Sequence, residues 1–218
     1  MKPQPTPQRF EGRSITLTPL EVSADVAELF AISHVDETTR KLWQYMPRGP
    51  FANVQEQAAF LREWQATPNV IAYAVRNSET QHCLGSISLM SIRAEHGVAE
   101  LGNIWYAPAA QRTKANTEAC YLLLRHCFED LGYRRMEWKC DARNEPSRNA
   151  ALRLGFLFEG IFRQHMIVKG ENRDTAWFAM LDHEWPQIAT AFRRWLYEDD
   201  SIPLGRLIAE CRSVQARA

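Results

Sequence analysis

The sequence lacks three features that would each place it in a broad class of proteins. No apolar run approaches the roughly 18 residues that a membrane-spanning helix needs. Its 26 basic and 26 acidic side chains cancel, so it has no net charge and no basic surface of the kind that binds nucleic acid. The opening MKPQPTPQRF contains no apolar stretch typical of a signal peptide. We therefore expect a cytoplasmic protein with no membrane or nucleic-acid partner.

The five cysteines form no CxxC pair. Cys120 and Cys127 are seven residues apart, a spacing that places both on one face of a helix and is too long for a zinc knuckle. We therefore expect reduced thiols in a cytoplasmic protein, and no bound metal.

The apolar pattern indicates one mixed α/β domain. Hydrophobic residues make up 45% of the 218 positions, enough for a substantial core. Helical spacing, or a Pro start with a Gly end, marks residues 25–33, 53–66, 117–131, 146–155 and the stretch from 186. Strand-like patterns occupy residues 12–20, 69–77, 82–90, 97–107, 135–141, 159–168 and 175–181.

The stretch QRTKANTEA, residues 111–119, separates a strand-like run from the buried helix YLLLRHCFEDL. The first backbone N–H groups of a helix have no intrahelical partner and lie at the positive end of its dipole. Such a terminus suits an anion such as phosphate. The alternative is an ordinary helix start capped by Asn116 or Thr117.

The stretch LWQYMPRGPF, residues 42–51, contains three aromatic residues in an irregular segment broken by two prolines and a glycine. Trp43, Tyr45 and Phe51 have little reason to lie in a polar loop unless they cover something. The sequence leaves two interpretations open: a hydrophobic clip that packs the loop on the core, or one wall of a ligand site.

Two segments about thirty residues apart resemble the GNAT superfamily of N-acyltransferases. QRTKANTEA after YAP is similar to that superfamily's acetyl-CoA pyrophosphate loop, and NEPSRNAALRLGF resembles its second signature. EGRSITLTPL, AELG and the closing EGIFRQHM and RDTAWFAML resemble the RimJ/RimL-like ribosomal-protein N-terminal acetyltransferases. The resemblance covers roughly residues 10–185.

The resemblance implies an α/β (α+β) fold of the GNAT type. Its sheet would be mixed but mostly antiparallel, with about seven strands splayed at the centre and helices on both sides. Residues 1–9 would form a flexible lead-in, residues 10–185 the N-acetyltransferase domain, and residues 186–218 a C-terminal helical extension of the same domain.

The resemblance also implies a binding site for acetyl-CoA, with coenzyme A as the product. Strand backbone would bind the pantetheine arm, and loop amides would bind the pyrophosphate. The implied contacts are Ile104, Trp105, Tyr106, Gln111, Arg112, Thr113, Lys114, Ala115, Asn116, Thr117, Asn144 and Arg148. Lys114 and Asn116 depart from the superfamily pattern, which has small residues at both positions; the loop is therefore expected to differ in shape, with Thr113 and Lys114 adding side-chain contacts.

Proton transfer has two candidates. The AELG match places Glu100 near the acceptor amine, as an anchor and relay rather than a direct base. The tyrosine that many members use to protonate the thiolate is replaced here by Ala151. In the ribosomal-protein branch a serine three residues after the Asn lies near the sulfur instead, and the matching residue here is Ser147. Each of the two has a simpler alternative: a paired surface carboxylate for Glu100, and a helix cap for Ser147.

We call residues 42–51 the aromatic loop. The acceptor pocket would be formed by this loop and by the hairpin of the last two strands, with the residues Trp43, Tyr45, Arg163, His165 and Asp174. His165 is a reserve base, since an imidazole titrates near neutral pH. These residues carry both charges and several aromatic rings. They therefore fit a peptide N-terminus, a free amino acid or a small amine.

The leading hypothesis is an acetyl-CoA-dependent N-acetyltransferase, a monomer or homodimer, that acts on an α-amine or small amine by direct attack in a ternary complex. Detoxification or self-immunity would use the same chemistry on another acceptor. An alternative from a different class is a non-catalytic acyl-CoA-binding sensor on the same fold.

Overall fold

The computed structural model describes residues 1–215. Eight strands lie in one sheet in the order β1-β2-β3-β4-β5-β6-β8-β7, and the pairings described for it are antiparallel. Their bounds are β1 Phe10–Glu11, β2 Ile15–Pro19, β3 Ile71–Asn77, β4 Cys83–Arg93, β5 Val98–Tyr106, β6 Arg135–Asp141, β7 Leu157–Val168 and β8 Glu171–Leu181. The α/β fold class is confirmed, and the seven strands expected from the sequence are all present. The eighth, β1, has two residues and is too short to show an alternating pattern.

Seven α-helices accompany the strands in the described part of the chain. They are α1 Val22–Ser33, α2 Glu37–Arg40, α3 Val54–Ala66, α4 Ala115–Arg125, α5 Glu145–Arg153, α6 Trp185–Arg193 and α7 Leu204–Gln215. The helix expected over residues 117–131 begins two residues earlier and changes to a π-helical turn at His126–Asp130. None of the helices among these residues is both long and apolar enough to cross a bilayer.

The chain folds into two compact units. We call Pro5–Ile92 with Glu100–Leu122 the first unit, and Met1–Gln4, Arg93–Ala99 and the chain from Leu123 onwards the second unit. The sequence predicted a lead-in, a single domain and an extension, and that division stays a prediction. Residues 216–218, at the end of that extension, lie outside the described residues.

The core of the first unit packs α1, α3 and the aromatic loop against the strands. Its buried residues are Leu20, Val22, Leu29, Trp43, Phe51, Ala58, Leu61, Ala72, Ala74, Cys83 and Trp105. Asn53 caps α3 by accepting a hydrogen bond from the backbone N–H of Glu56, at 3.0 Å. The helix expected over residues 53–66 is therefore present, with Asn53 as its cap.

The core of the second unit contains large aromatic residues, among them Tyr133, Phe156, Phe178 and Phe192. Gly155 follows α5 with φ of +94°, the left-handed conformation expected from the sequence. A Cβ there would lie 3.3 Å from the Cδ1 atoms of Ile188 and Ile208. The end of α5 is therefore packed closely against the C-terminal helices. The N-terminal backbone is also held, because Lys2 N–H donates to Ala94 O at 3.2 Å.

The cysteines are free thiols, and four of them, Cys83, Cys120, Cys127 and Cys140, are buried. Burial raises the pKa of Cys83 to about 12 and also raises that of Cys140. Cys211 on α7 is only partly buried.

The buried carboxylate of Glu118 ties the start of α4 to the chain before β2. It accepts hydrogen bonds from the backbone N–H groups of Arg13 (2.7 Å), Ser14 (2.8 Å) and Ile15 (3.1 Å), and from the Ser14 hydroxyl. A Cβ on Gly12 would lie 2.5 Å from the Glu118 carboxyl carbon, so only glycine allows this close approach. One side chain thus fixes the position of α4 in the first unit.

We predict that Glu118→Ala lowers the free energy of unfolding by about 3 kcal/mol, because it leaves one buried and three part-buried donors without their acceptor. Urea denaturation measures this change. Glu79→Ala, which removes an exposed carboxylate, is the control and should stay within about 0.5 kcal/mol of wild type. If Glu118→Ala is equally mild, the carboxylate does not hold α4.

Candidate functional site

A short loop leads from β5 to α4 in the first unit. Pro108 begins a 3-10 turn at Pro108–Ala110, since its fixed φ suits the start of a helical turn. The Gln111 side chain then folds back, and its Nε2 donates to Tyr106 O at 3.1 Å. The Gln111 backbone N–H donates to Ala107 O at 3.2 Å. Gln111 therefore fastens the loop to the end of the strand.

The first turn of α4 is capped by Thr113. The Thr113 hydroxyl donates to Ala110 O at 2.7 Å and accepts from the Ala115 backbone N–H at 3.2 Å. The sequence-based choice of Asn116 or Thr117 as the cap is therefore wrong. Both lie inside the helix, because α4 begins at Ala115. The Asn116 side chain accepts a hydrogen bond from Cys120 Sγ at 3.6 Å.

The loop has the features that an anion requires. The first N–H groups of α4 have no intrahelical acceptor, and they lie at the positive end of the helix dipole. Arg112 and Lys114 add positive charge directly before the helix. Within the described loop, Arg112 has φ of +61°, whereas Lys114 and Asn116 are outside the left-handed region. Large side chains at these two positions therefore cause no backbone strain. Binding of a pyrophosphate by this loop stays a prediction.

The Thr117 side chain adds a second observation at the same place. It is fully buried, and its hydroxyl has no hydrogen-bond partner among the residues that the structure describes. The Tyr106 hydroxyl is likewise buried without a partner in the described chain, and burial raises the pKa of Tyr106 well above 10. Buried polar groups nearly always have a partner, so these two hydroxyls are consistent with a polar ligand or water nearby.

Strand β5 carries Glu100 and the residues expected to contact the pantetheine arm. Glu100 is buried, and its Oε2 accepts from the Ser91 hydroxyl at 2.9 Å. Asn103 has φ of +50° and interrupts the regular strand before Ile104–Tyr106. No sequence pattern indicated the contact with Ser91, because it joins two strands through a residue that has no motif of its own.

β4 and β5 approach each other very closely at Gly85. A Cβ at this position would lie 2.1 Å from the carbonyl oxygen of Trp105. Any larger residue would therefore displace the backbone of Trp105 and Tyr106. Gly85 is a residue of the candidate site that the sequence analysis missed.

The aromatic loop packs on the core of the first unit. Trp43 is 1% exposed, and its ring lies 5.4 Å from that of Trp105 and 5.1 Å from that of Phe51. Its Nε1 donates to Ser33 O at 3.3 Å. This geometry supports the hydrophobic clip for Trp43, whereas Tyr45 is partly exposed.

His34 joins this loop to the end of α1. Its Nε2 accepts from the Phe51 backbone N–H at 2.9 Å, and its Nδ1 lies 2.9 Å from the Ser33 hydroxyl. The ring stacks on Phe30 with 4.3 Å between centroids. Burial lowers the pKa of His34 below its ordinary value of 6.5, and the positive charge of Arg40 acts in the same direction.

In the second unit, Asn144 and Ser147 form the start of α5. Asn144 Oδ1 accepts from the Ser147 backbone N–H at 3.1 Å and caps the helix. The Ser147 hydroxyl accepts from Trp138 Nε1 at 3.0 Å. Arg148 Nη1 donates to Ala142 O at 3.2 Å. Asn144 is thus a cap, and its amide nitrogen is not used in that bond.

A bulge in the β7–β8 hairpin brings together the acceptor residues expected there. Phe162 pairs with Thr175 and Met166 with Arg173, so that three residues of β7 lie opposite Asp174. Asp174 accepts from the Gln164 backbone N–H at 2.7 Å, and this bond lowers the pKa of Asp174. The opposite charge of Arg163 contributes to the same shift.

His165 lies on the same bulge, and its Nδ1 is 3.0 Å from the Thr175 hydroxyl. Its ring contacts Phe162 and Trp177, with centroids 5.5 Å and 5.9 Å away. Lys139 Nζ lies 4.2 Å from the centroid of the Trp177 ring. Trp177 and Lys139 were not among the predicted site residues, although β6 and β8 pair them directly on one face of the sheet.

The two units divide the candidate residues between them. The first unit holds Trp43, Tyr45, Glu100, Ile104, Trp105, Tyr106, Gln111, Arg112, Thr113, Lys114, Ala115, Asn116 and Thr117. The second unit holds Asn144, Ser147, Arg148, Arg163, His165 and Asp174. Their roles in binding and catalysis stay predictions.

Comparison with known proteins gives a consistent result. The sequence profile of the acetyltransferase (GNAT) domain matches residues 14–157. The crystal structure of a GCN5-related N-acetyltransferase from Brucella melitensis is 39% identical, with a TM-score of 0.90 over 95% of this chain and 97% of that one. At 20% identity and a TM-score of 0.67, the self-immunity acetyltransferase MccE, solved with acetyl-CoA and AMP, shares the fold over 78% of this chain and 93% of its own.

The chain is also similar to YdaF of Bacillus subtilis (strain 168), a protein provisionally named a ribosomal N-acetyltransferase. It is 34% identical over 101 residues. The match covers 46% of this chain and 55% of YdaF, so this chain spans little more than half the length of that relative.

We predict that acid loosens the aromatic loop through His34. Because folding lowers the pKa of His34, its stabilising contribution is present above about 6.5, the unfolded value, and is lost as the pH falls through the folded pKa. The protonated ring has no lone pair for the Phe51 N–H. Thermal unfolding midpoints measured between about pH 7 and pH 5 should fall more steeply for wild type than for His34→Gln.

The matched control is His96→Gln, which removes an exposed imidazole and should keep the wild-type pH dependence. Parallel curves for wild type and His34→Gln would show that His34 does not couple the loop to pH.

Proposed function

Because this chain belongs to the GNAT acetyltransferase family, we propose that it transfers the acetyl group of acetyl-CoA to a primary amine by direct attack in a ternary complex. The observation that carries the proposal is the start of α4. There, a loop fastened by Gln111 and capped by Thr113 precedes a helix that Glu118 holds in place. The second family signature, which begins at Asn144, forms the start of α5, and Asn144 caps that helix.

Acetyl-CoA would supply a thioester whose carbonyl carbon accepts the amine and whose sulfur leaves as coenzyme A. The amides of Arg112–Thr117 would bind its pyrophosphate, and the backbone of Ile104–Tyr106 its pantetheine arm. The Asn144 amide nitrogen would donate to a pantetheine carbonyl. Arg112, Lys114 and Arg148 supply positive charge for the phosphates. That MccE was solved with acetyl-CoA supports this choice of donor.

An α-amine is the acceptor that requires the least proton removal by residues of this chain. With a pKa near 7.7–8.0, about a tenth to a fifth of an α-amine is neutral at pH 7, against well under ~0.1% of a lysine amine. Glu100 would hold the ammonium and relay its proton through water rather than abstract it directly. Ser91 fixes the Glu100 carboxylate for that task. Precise placement of the amine then supplies much of the rate enhancement.

Ser147 is the proposed acid for the leaving thiolate. Its oxygen accepts from Trp138 Nε1, and its hydroxyl also hydrogen-bonds the Cys140 side chain. To protonate the thiolate, the hydroxyl would turn its hydrogen from Cys140 to the leaving sulfur. The start of α5, with its positive dipole end, would stabilise the same negative charge. The matching position of the tyrosine used elsewhere in the family is Ala151, which is buried and has no proton to give.

The acceptor would lie against the bulge that carries Arg163, His165 and Asp174, and Tyr45 of the first unit stays a predicted acceptor contact. These residues offer both charges beside aromatic rings, as a peptide N-terminus with its flanking side chains requires. The similarity to YdaF, which is named for ribosomal N-acetylation, supports the RimJ/RimL-like branch. A cytoplasmic location and an N-terminal acceptor are part of the same proposal.

The second candidate is a non-catalytic acyl-CoA sensor. One observation favours it: Glu100 is 5% exposed and already accepts a hydrogen bond from Ser91. A sensor would bind acetyl-CoA but show no turnover with any amine, whereas an enzyme would release coenzyme A.

We predict that acetyl-CoA at a hundred times its Kd stabilises the protein by about 2.7 kcal/mol, which raises the unfolding midpoint by roughly 5–10 °C. Asn144→Ser should reduce this shift, because serine keeps the helix cap but lacks the amide donor. Asn144→Ala would lose cap and donor together and is the less informative variant. Thermal unfolding with and without acetyl-CoA measures the effect.

Asn53→Ala is the matched control for that series. It removes the equivalent cap of α3, so the protein should lose about 1 kcal/mol of stability but keep the full acetyl-CoA shift. No shift for wild type at millimolar acetyl-CoA would contradict the donor site and the proposed function together.

We predict that Glu100→Gln lowers turnover at least tenfold while the acetyl-CoA shift stays intact, because the amide cannot hold an ammonium or accept its proton. The measurement is coenzyme A release in an acceptor screen of peptides and small amines. Ser147→Ala is the comparison: it should slow single-turnover transfer without changing acceptor KM. Near-normal turnover by Glu100→Gln would remove Glu100 from the mechanism.

A further inference from the structure

Strand β7 has an open edge. It is the last strand of the sheet, and within the described residues it pairs with β8 alone. It is also long, with twelve residues, and its register against β8 shifts between Phe158 and Gly160 and between Phe162 and Met166. The strand at the other end of the order, β1, has two residues. Short edge strands resist pairing with other chains, whereas a long open edge invites it.

The side chains of β7 are apolar and exposed on both faces of the strand. The pairing with β8 places Leu157 and Phe162 on one face, and Phe158 and Ile161 on the other. Their exposed fractions lie between 44% and 53%, and that of Ile167 is 81%. The exposed apolar residues of the strand are Leu157, Phe158, Ile161, Phe162, Met166 and Ile167.

This pattern is unusual for an edge strand, because edge strands usually carry charges or prolines that prevent pairing. In β7 the only residues with a permanent charge are Glu159 and Arg163. With about 150–250 Å² for a large exposed side chain, the exposed apolar surface is on the order of 600 Å². Exposed apolar surface of this size, spread over both faces of one edge strand, is typical of an interaction site.

The order of charges along β7 fits a second copy of the same strand. Glu159 lies in its first half, and Arg163 and His165 lie in its second half. Antiparallel pairing of two copies would place the acidic half of each beside the basic half of the other, whereas parallel pairing would align like charges. Glu159 already binds Arg135 of its own chain at 2.6 Å, so the partner's Arg163 would extend an existing ion pair.

We propose that two copies of this chain pair antiparallel along β7 and form a twofold-symmetric dimer with a sheet that continues from one copy to the other. The unpaired N–H and C=O groups of β7 then bond across the twofold axis. A stable interface needs about 800 Å² from each partner, which the apolar side chains together with the strand backbone supply. The proposal does not depend on the proposed function.

Analytical ultracentrifugation over a micromolar-to-millimolar dilution series tests the dimer. Wild type should sediment as a dimer. Ile161→Lys and Ile167→Lys, which place positive charge in the apolar edge, should sediment as monomers at concentrations where wild type is dimeric. Val35→Lys is the matched control, since Val35 is 71% exposed but lies after α1, and it should stay dimeric.

Because Ile167 is 81% exposed, its replacement removes little packing, and an unchanged thermal midpoint at low concentration will confirm that the variant is folded. A monomeric wild type across the whole series overturns the proposal and points to a different occupant of the edge, such as an acceptor peptide. Dimers of both lysine variants overturn it too.

A cross-linking experiment locates the interface. Ile161 lies midway between Glu159 and Arg163, so antiparallel pairing places it opposite its own copy, with the two α-carbons about 4.5–5.5 Å apart. That separation suits a disulfide. Ile161→Cys in a Cys211→Ser background should form a covalent dimer under mild oxidation, and Val35→Cys in the same background should not. A dimer that Cys at position 161 fails to cross-link overturns the pairing.

Discussion

The hydrogen bonds to the Glu118 carboxylate are the constraint on which the candidate donor site depends. A helix start that binds an anion needs its first N–H groups held in a fixed position. Glu118 lies in the first turn of α4 and anchors that turn, because its carboxylate accepts hydrogen bonds from the backbone N–H groups of Arg13, Ser14 and Ile15. The same carboxylate requires glycine at position 12.

Local sequence was sufficient for most of the fold. Strand-like runs predicted seven of the eight strands, and Pro146 and Gly155 marked the two ends of α5 because first-turn prolines and left-handed glycines act within a few residues. The family signatures gave the two helix starts of the site. The profile match and the Brucella melitensis structure confirmed the family.

The remaining features depend on contacts between distant residues, which periodicity cannot show. Thr113 became the cap of α4 because the helix begins at Ala115, two residues before the apolar pattern starts. The bond from Ser91 to Glu100 and the close approach of Gly85 to Trp105 each join neighbouring strands. For Trp43, the sequence left two interpretations open, a hydrophobic clip on the core or one wall of a ligand site. The burial of its side chain in the structure favours the clip.

The burial of four cysteines affects how the reaction can be followed. Thiol-reactive dyes attack the thiolate, and the buried thiols are both inaccessible and, at Cys83 and Cys140, held protonated by a raised pKa. Only Cys211 is partly exposed among the cysteines. A colorimetric reagent added to a reaction mixture will therefore register the thiol of released coenzyme A against a background of about one protein thiol per chain, and a Cys211→Ser chain will give a nearly silent baseline.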